Sequence, residues 1–263
     1  SYSNYYLVKN YKYLLVQLIK RNIPNLFTAL NFLCGCFAAS LAFKNLFEAA
    51  FLLVLLGTFF DLFDGFFARL LNAESKFGLQ FDSMADLITS GIVPGIVMYQ
   101  LFLEIGIREV SYDFLIFQNE FTFSFAPFAL VGFLISLGAA IRLSKFNIDT
   151  EQRYEFKGLP APANALFIVA LPLLIAHPLF TFFKPFLSTY PALVFISILS
   201  AILMNMRLPL FSFKIQSFEL RDYGFQLLLI LLSVPTFYFL QWVAVPVMII
   251  IYLFLNVLKN SFD

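Results

Sequence analysis

Four aspartates, Asp61, Asp64, Asp82 and Asp86, stand in sequence otherwise apolar enough to cross a lipid bilayer. An ionised side chain in the middle of a membrane helix costs roughly 2.5 kcal/mol or more unless it is paired or bound to a cation. Core packing therefore does not account for them. Asp61, Asp64, Gly65 and Ala68 fall at i, i+3, i+4 and i+7, which is one face of a helix. Gly78, Asp82 and Asp86 follow at i, i+4 and i+8 on the next helix, and the short polar link from Asn72 to Phe77 turns that helix back antiparallel. All four carboxylates can then converge. Like charges at close range cannot all stay ionised without a counter-charge, and an all-oxygen cluster selects a hard divalent cation, Mg²⁺ or Mn²⁺, over zinc. The pattern predicts a metal site with two ions. Gly65, Ala68 and Gly78 would leave backbone exposed beside the ions for a phosphate-bearing ligand, and Arg69 could pair with a phosphate or an acid.

The elements that position these residues follow from composition. Of 263 residues, 61% are hydrophobic and 13% charged, outside the usage of soluble domains. The expected fold is all-α: a polytopic membrane bundle of about eight transmembrane helices with an amphipathic interfacial helix at the N-terminus. A net charge of +1 without a basic run gives no support for a nucleic-acid partner. Cys34 and Cys36, two apart in an apolar helix, point to different faces and read as small packing residues. No signal-peptide pattern opens the chain, so the first apolar run is expected to be a retained helix.

In chain order, residues 1–22 form the interfacial segment, 23–223 a core of six spans, and 224–263 a terminal helix pair. Pro24 suits a first helical turn, and the first span runs to Phe43. The second is about Phe47–Leu71 and the third about Gly78–Leu103, followed by a charged loop over 104–124. The fourth span, about Phe125–Ile141, ends in the basic run Arg142 to Asn147. A charged loop, Asp149 to Lys157, leads through Gly158-Leu-Pro160 to the fifth span, about Ala163–Phe182, with His177 deep in it as a packing residue. The sixth is Ser188–Met206, then a loop to Tyr223, then spans Gly224–Leu240 and Val243–Leu258 about an interfacial Trp242. Alternating sides puts only Lys44, Arg108 and Lys184 of the 17 Lys and Arg opposite the acidic motif. The motif and both termini are therefore expected on the cytoplasmic side.

The run D-x-x-D-G-x-x-A-R, eight residues, G-x-x-x-D-x-x-x-D resembles the signature of the CDP-alcohol phosphotransferase family. These integral membrane enzymes move a phosphoryl-lipid group from a CDP-linked donor to an alcohol. The resemblance implies that Asp61, Asp64 and Asp82 bind metal, with Asp86 beside them as general base. Asn25 and Thr28, at the expected start of the first span, read as CDP-donor contacts together with Asp61, Gly65, Ala68, Arg69, Gly78 and Asp82, the helix N-terminus favouring an anion. Within the family, three stretches are similar to the bacterial and archaeal phosphatidylserine synthase branch: Ile23 to Thr28, Asp82 to Asp86 with Gly91 and Pro94, and Arg142 to Asn147 with Gly158 to Pro160. Lys145 replaces the Arg more usual in that basic run. The resemblance implies CDP-diacylglycerol and L-serine as substrates, with Arg142, Lys145 and Asn147 holding the serine. It also implies a homodimer among membrane lipids, in a bacterial or archaeal cytoplasmic membrane. Glycerol 3-phosphate or inositol phosphate is the alternative acceptor, and an ion transporter or channel the reading from another class, because intramembrane acids also mark ion pathways.

Overall fold

The computed structural model describes residues 2–117, 119–148, 158–206 and 224–262. The expected loops over 149–157 and 207–223, with Arg207 and Lys214, lie outside the described residues. The chain is mostly helical, and among the described residues five stretches are long and apolar enough to cross a membrane: Asn22–Phe43, Phe47–Leu70, Lys76–Glu104, Pro127–Ile148 and Leu228–Asn256. Two shorter apolar helices, Ala161–Ala176 and Tyr190–Asn205, accompany them.

Helix α1 (Tyr2–Phe43) is one unbroken helix with Pro24 inside it. At 1.5 Å per residue it is about 63 Å long, twice a bilayer core. The expected start at Pro24 is thus corrected: the segment before it is helical and continuous with the span. Asn45, at φ 58, closes α1 in the left-handed region that Asn tolerates, with the Leu46 amide returning to the Leu41 carbonyl. Helix α2 (Phe47–Leu70) packs back along α1. Asn72, at φ 51, ends it in the same way, the Ala73 amide bonding to the Ala68 carbonyl. Three residues later Ser75 caps α3 (Lys76–Asp86), its hydroxyl accepting the Gly78 amide at 2.9 Å.

A π-helical turn, Leu87–Ile92, joins α3 to α4 (Val93–Glu104), so the third span is continuous but not uniformly α. It is the central span, 72% buried against 22–33% for the other four. Val93, Val97, Met98 and Phe102 meet Ala38 and Ala42 of α1, Phe51 and Val54 of α2, and Ile168 and Leu171 of the helix Ala161–Ala176 in one core.

Residues 104–124, expected as a loop, contain a β-hairpin. Strands β1 (Val110–Ile116) and β2 (Asn119–Phe125) pair antiparallel, with Tyr112 opposite Phe123 and Phe114 opposite Phe121. The period-2 alternation places these aromatics on one face and Ser111, Asp113, Thr122 and Ser124 on the other. Hydroxyl bonds Ser111–Ser124 and Thr122–Asp113, each 2.8 Å, tie the polar face.

A 3₁₀ stretch, Pro127–Phe133, leads into α5 (Leu134–Ile148), which carries the basic run inside its last turns and not beyond its end. Helix α6 (Ala161–Ala176) stops at His177, earlier than expected. His177 is not deep in a span: it follows the helix end, where Nδ1 accepts the Leu179 amide. A short α7 (Lys184–Leu187) precedes α8 (Tyr190–Asn205). Helices α9 (Gly224–Leu240) and α10 (Ala244–Phe262) touch across a turn at Gln241.

Helices α5 and α8 cross at Gly138, where an added Cβ would lie 2.8 Å from the Ala201 Cα and 2.9 Å from its Cβ. Close backbone approach through small residues is how membrane helices gain contact without a hydrophobic drive, and Asn205 donates to the Gly138 carbonyl at 2.9 Å beside it. The substitution Gly138→Leu should force the pair apart and cost about 1–3 kcal/mol. A lowered thermal midpoint in detergent checks it; an unchanged midpoint would show that the crossing does not hold the bundle.

Candidate metal and active site

The site lies where α1, α2 and α3 meet, at the end of the bundle away from the hairpin. Asp61 and Asp64 come from the second half of α2, and Asp82 and Asp86 from α3. The tight Asn72–Ser75 reversal brings the two stripes face to face. Oxygens of Asp61, Asp64 and Asp82 all lie within 4.8 Å of one another. Asp86 adjoins Asp61 at the inner edge of this trio and is 9% exposed.

Helix α1 supplies the donors. Thr28 Oγ1 reaches Asp64 Oδ2 at 2.6 Å, and Asn31 Nδ2 donates to Asp86 Oδ1 at 3.1 Å. Asp82 Oδ1, by contrast, is buried without a hydrogen-bond partner. A buried carboxylate oxygen left bare beside two further carboxylates is unfavourable without a cation. The donor set therefore fits a hard divalent ion: three carboxylates, oxygen only, at a spacing that one ion can bridge.

The surroundings redistribute several expected contacts. Asn25 and Thr28 are not at a helix N-terminus, because α1 continues through them from Tyr2, so the backbone amides that would attract an anion there belong to the helix ladder. Thr28 is 2% exposed and turned to Asp64. Asn25 Oδ1 lies by Gly78, 3.3 Å from where a Cβ would stand. The Arg69 guanidinium folds back over Gly65, Nη1 lying 3.5 Å from that residue's would-be Cβ, and Ala68 is half-buried on the same face.

At the basic end of α5 the three expected serine contacts separate. Arg142 Nη1 donates to the Met204 carbonyl at 2.9 Å, capping the C-terminal end of α8. The Leu159 amide bonds to the Leu203 carbonyl at 3.0 Å beside it. Gly158, at φ +81, fits there because an added Cβ would stand 2.5 Å from the Met206 carbonyl oxygen. Lys145 is exposed. Asn147 reaches the acidic helix, its amide exchanging hydrogen bonds with Ser83 Oγ at 2.9 and 3.1 Å.

Sequence reasoning missed Asn31, Thr89 and Ser83. Thr89 Oγ1 donates to Asn31 Oδ1 at 2.8 Å, behind the Asp86 contact. A signal was present: Asp82, Asp86 and Thr89 stand at i, i+4 and i+7, and Thr28, Asn31 and Gly35 at i, i+3 and i+7. Two polar or small stripes on apolar helices mark surfaces that face each other.

The CDP-alcohol phosphatidyltransferase family model matches residues 21–254. The chain is 35% identical over 153 residues to the CDP-diacylglycerol–serine O-phosphatidyltransferase of Helicobacter pylori, covering 57% of each chain. It is 35% identical over 160 residues to the Bacillus subtilis protein of the same name, covering 59% of this chain and 80% of that one. An archaetidylserine synthase of Methanothermobacter thermautotrophicus is 31% identical over 148 residues, 56% of this chain and 55% of that one. The chain thus spans a little over half the length of the first and third of these relatives. With the family match running from α1 into α10 and through all four aspartates, the chain belongs to the CDP-alcohol phosphatidyltransferase family.

Proposed function

We propose that this protein transfers the phosphatidyl group of CDP-diacylglycerol to the hydroxyl of L-serine, giving phosphatidylserine and CMP. The observation that carries the reading is the split within the acidic cluster. Asp61, Asp64 and Asp82 share one centre with a bare buried oxygen, whereas Asp86, beside Asp61 at its edge, accepts a hydrogen bond from Asn31. When bound there, divalent cations (Mg²⁺ or Mn²⁺, two in the reading proposed) neutralise the pyrophosphate oxygens and the departing CMP.

The chain's own groups do the rest. Asp86 accepts the proton of the serine hydroxyl as its oxygen attacks the phosphorus bearing diacylglycerol; the P–O bond to CMP breaks, and CMP leaves with the bonding electrons. Thr28 holds Asp64 in place. Gly65, Ala68 and Arg69 on α2, with Asn25 and Gly78 at the α1–α3 contact, line the approach of the donor. Asn147, joined to Ser83 between Asp82 and Asp86 in the α3 sequence, is the acceptor contact best supported by geometry, with exposed Lys145 beside it for the serine carboxylate. Arg142 acts behind them by fixing α5 to α8.

Serine as acceptor is supported by the names of the relatives and by the likeness of residues 142–147 and 158–160 to that branch. The proposal extends to eight spans, counting the two short apolar helices and the α9–α10 pair separately. The site faces the cytoplasm of a bacterial or archaeal cell, supported by the Lys and Arg count, and the protein works as a homodimer. Family membership favours group transfer over an ion pathway.

Purified protein given labelled serine and CDP-diacylglycerol with Mn²⁺ or Mg²⁺ should form labelled phosphatidylserine and release CMP, and chelation should stop both. Product with glycerol 3-phosphate alone would retire the serine assignment. The roles of the acids are separable. The substitution Asp86→Asn should lower turnover by about 10²–10⁴-fold and leave Mn²⁺-dependent CMP binding within a few fold. Asp61→Asn, Asp64→Asn and Asp82→Asn should each weaken that binding itself. Equal loss of binding in all four variants would undo the division.

A further inference from the structure

Asn31 and Thr89 are fully buried, at 0% and 1% exposure, and neither belongs to the acidic motif. Thr89 lies within the π-turn Leu87–Ile92, immediately after α3 and its terminal Asp86. Its hydroxyl donates to Asn31 Oδ1 at 2.8 Å and lies 3.2 Å from the Asn31 main-chain carbonyl. An asparagine amide has an accepting end and a donating end. With the hydroxyl on Oδ1, the donating end faces Asp86, and Nδ2 meets Asp86 Oδ1 at 3.1 Å. The opposite amide orientation would set a carbonyl oxygen against a carboxylate.

The surrounding helices leave room for this arrangement and little else. A Cβ on Gly57 of α2 would stand 2.9 Å from Asn31 Oδ1 and 3.0 Å from Thr89 Cγ2. A Cβ on Gly35 of α1 would stand 2.6 Å from Thr89 Oγ1. Two glycines from different helices thus open the space that the Thr89–Asn31 pair fills. π-Turns are frequent at functional sites, and this one presents Thr89 into that space.

We infer that Asn31 and Thr89 are positioning residues that hold the Asp86 carboxylate by one oxygen, so that the rest of it faces the metal-binding trio and the incoming alcohol. Asn31 makes the contact and Thr89 fixes which end of its amide is presented. The inference rests on the proposed role of Asp86 as proton acceptor.

The test uses full-length protein and CMP release with whichever alcohol the wild type accepts, so that failure on serine corrects the acceptor and leaves the variants comparable. Thr89→Val, which keeps the shape and removes the hydroxyl, should lower kcat about 10- to 100-fold, the range for lost outer-shell support. The KM for CDP-diacylglycerol and Mn²⁺-dependent CMP binding should stay within about 2-fold. Thr89→Ser should recover most of the rate, and Asn31→Ala should lose at least as much as Thr89→Val. In an Asp86→Asn background, Thr89→Val should have no further effect on the residual rate, because coupled residues are non-additive. The inference is overturned if Thr89→Ser is as slow as Thr89→Val, if CMP binding falls in step with kcat, or if the two losses multiply independently. If Asp86→Asn itself turns over normally, it is the reading of Asp86 that falls.

Discussion

The structure depends on how carboxylates withdrawn from water are kept at one helix crossing. Attraction to a cation and hydrogen bonds from neighbours must together offset desolvation and mutual repulsion. Each neighbouring element is shaped to that end. Helix α1 contributes Thr28 and Asn31 on one stripe, α2 and α3 contribute two acids each, and Asn72 and Ser75 make the reversal between them short enough to bring both pairs together. The crossing carries small residues where side chains would intrude, Gly35 and Gly57 most plainly. Apart from the bare Asp82 Oδ1, polar groups that would weaken an ordinary membrane helix here find partners in one another.

A second polar assembly, at the joint of α5, α8 and the segment entering α6, has a different purpose. The carbonyls at the C-terminal end of α8 need donors once removed from bulk water. Arg142 serves Met204, and the Leu159 amide serves Leu203, in a turn that Gly158 allows to approach. Basic residues at helix ends in a membrane protein are thus ambiguous in sequence, since substrate contact and helix capping call for the same side chain in the same place. Asn147, farther along α5 than Arg142, is linked through Ser83 to the acidic helix, and Arg142 donates to the Met204 carbonyl of α8.

How much could be read from the sequence follows from what each feature costs. Asp61, Asp64, Asp82 and Asp86 were legible because charge in an apolar run demands an explanation, and their spacing names the face. Span boundaries on either side of Asn45 and Asn72 were legible because those residues tolerate a left-handed backbone. The continuity of α1 through Pro24 was not, since proline favours a first turn and costs a backbone hydrogen bond in a helix interior, so the letter argues for a start that the fold overrides. The hairpin was hidden because the charged residues before and within it, Arg108 and Glu109, then Asp113 and Glu120, drew attention from the alternation of Tyr112, Phe114, Phe121 and Phe123. Asn31 and Thr89 were hidden for the opposite reason: an uncharged polar residue in a membrane helix costs little enough to pass as packing until its partners are seen.

The placement of the cluster also bears on the proposed reaction. Its donor carries two acyl chains that belong in lipid, and its acceptor is a zwitterion that belongs in water. A site at mid-membrane would strand the acceptor, and one on an extramembrane domain would have to extract the donor. Asp61, Asp64, Asp82 and Asp86 instead lie in the halves of two spans nearest the Asn72–Ser75 reversal, and the outer surfaces of these spans, at Leu62, Phe66 and Met84, are exposed and apolar. The same helices then meet lipid along their flanks and polar solutes at their tips. The remaining difficulty is protonic, because a hydroxyl attacking beside concentrated negative charge must lose its proton to a group not itself committed to a cation. In the proposed reaction that group is Asp86, which lies at the edge of the trio beside Asp61 and accepts a hydrogen bond from the neutral Asn31 amide.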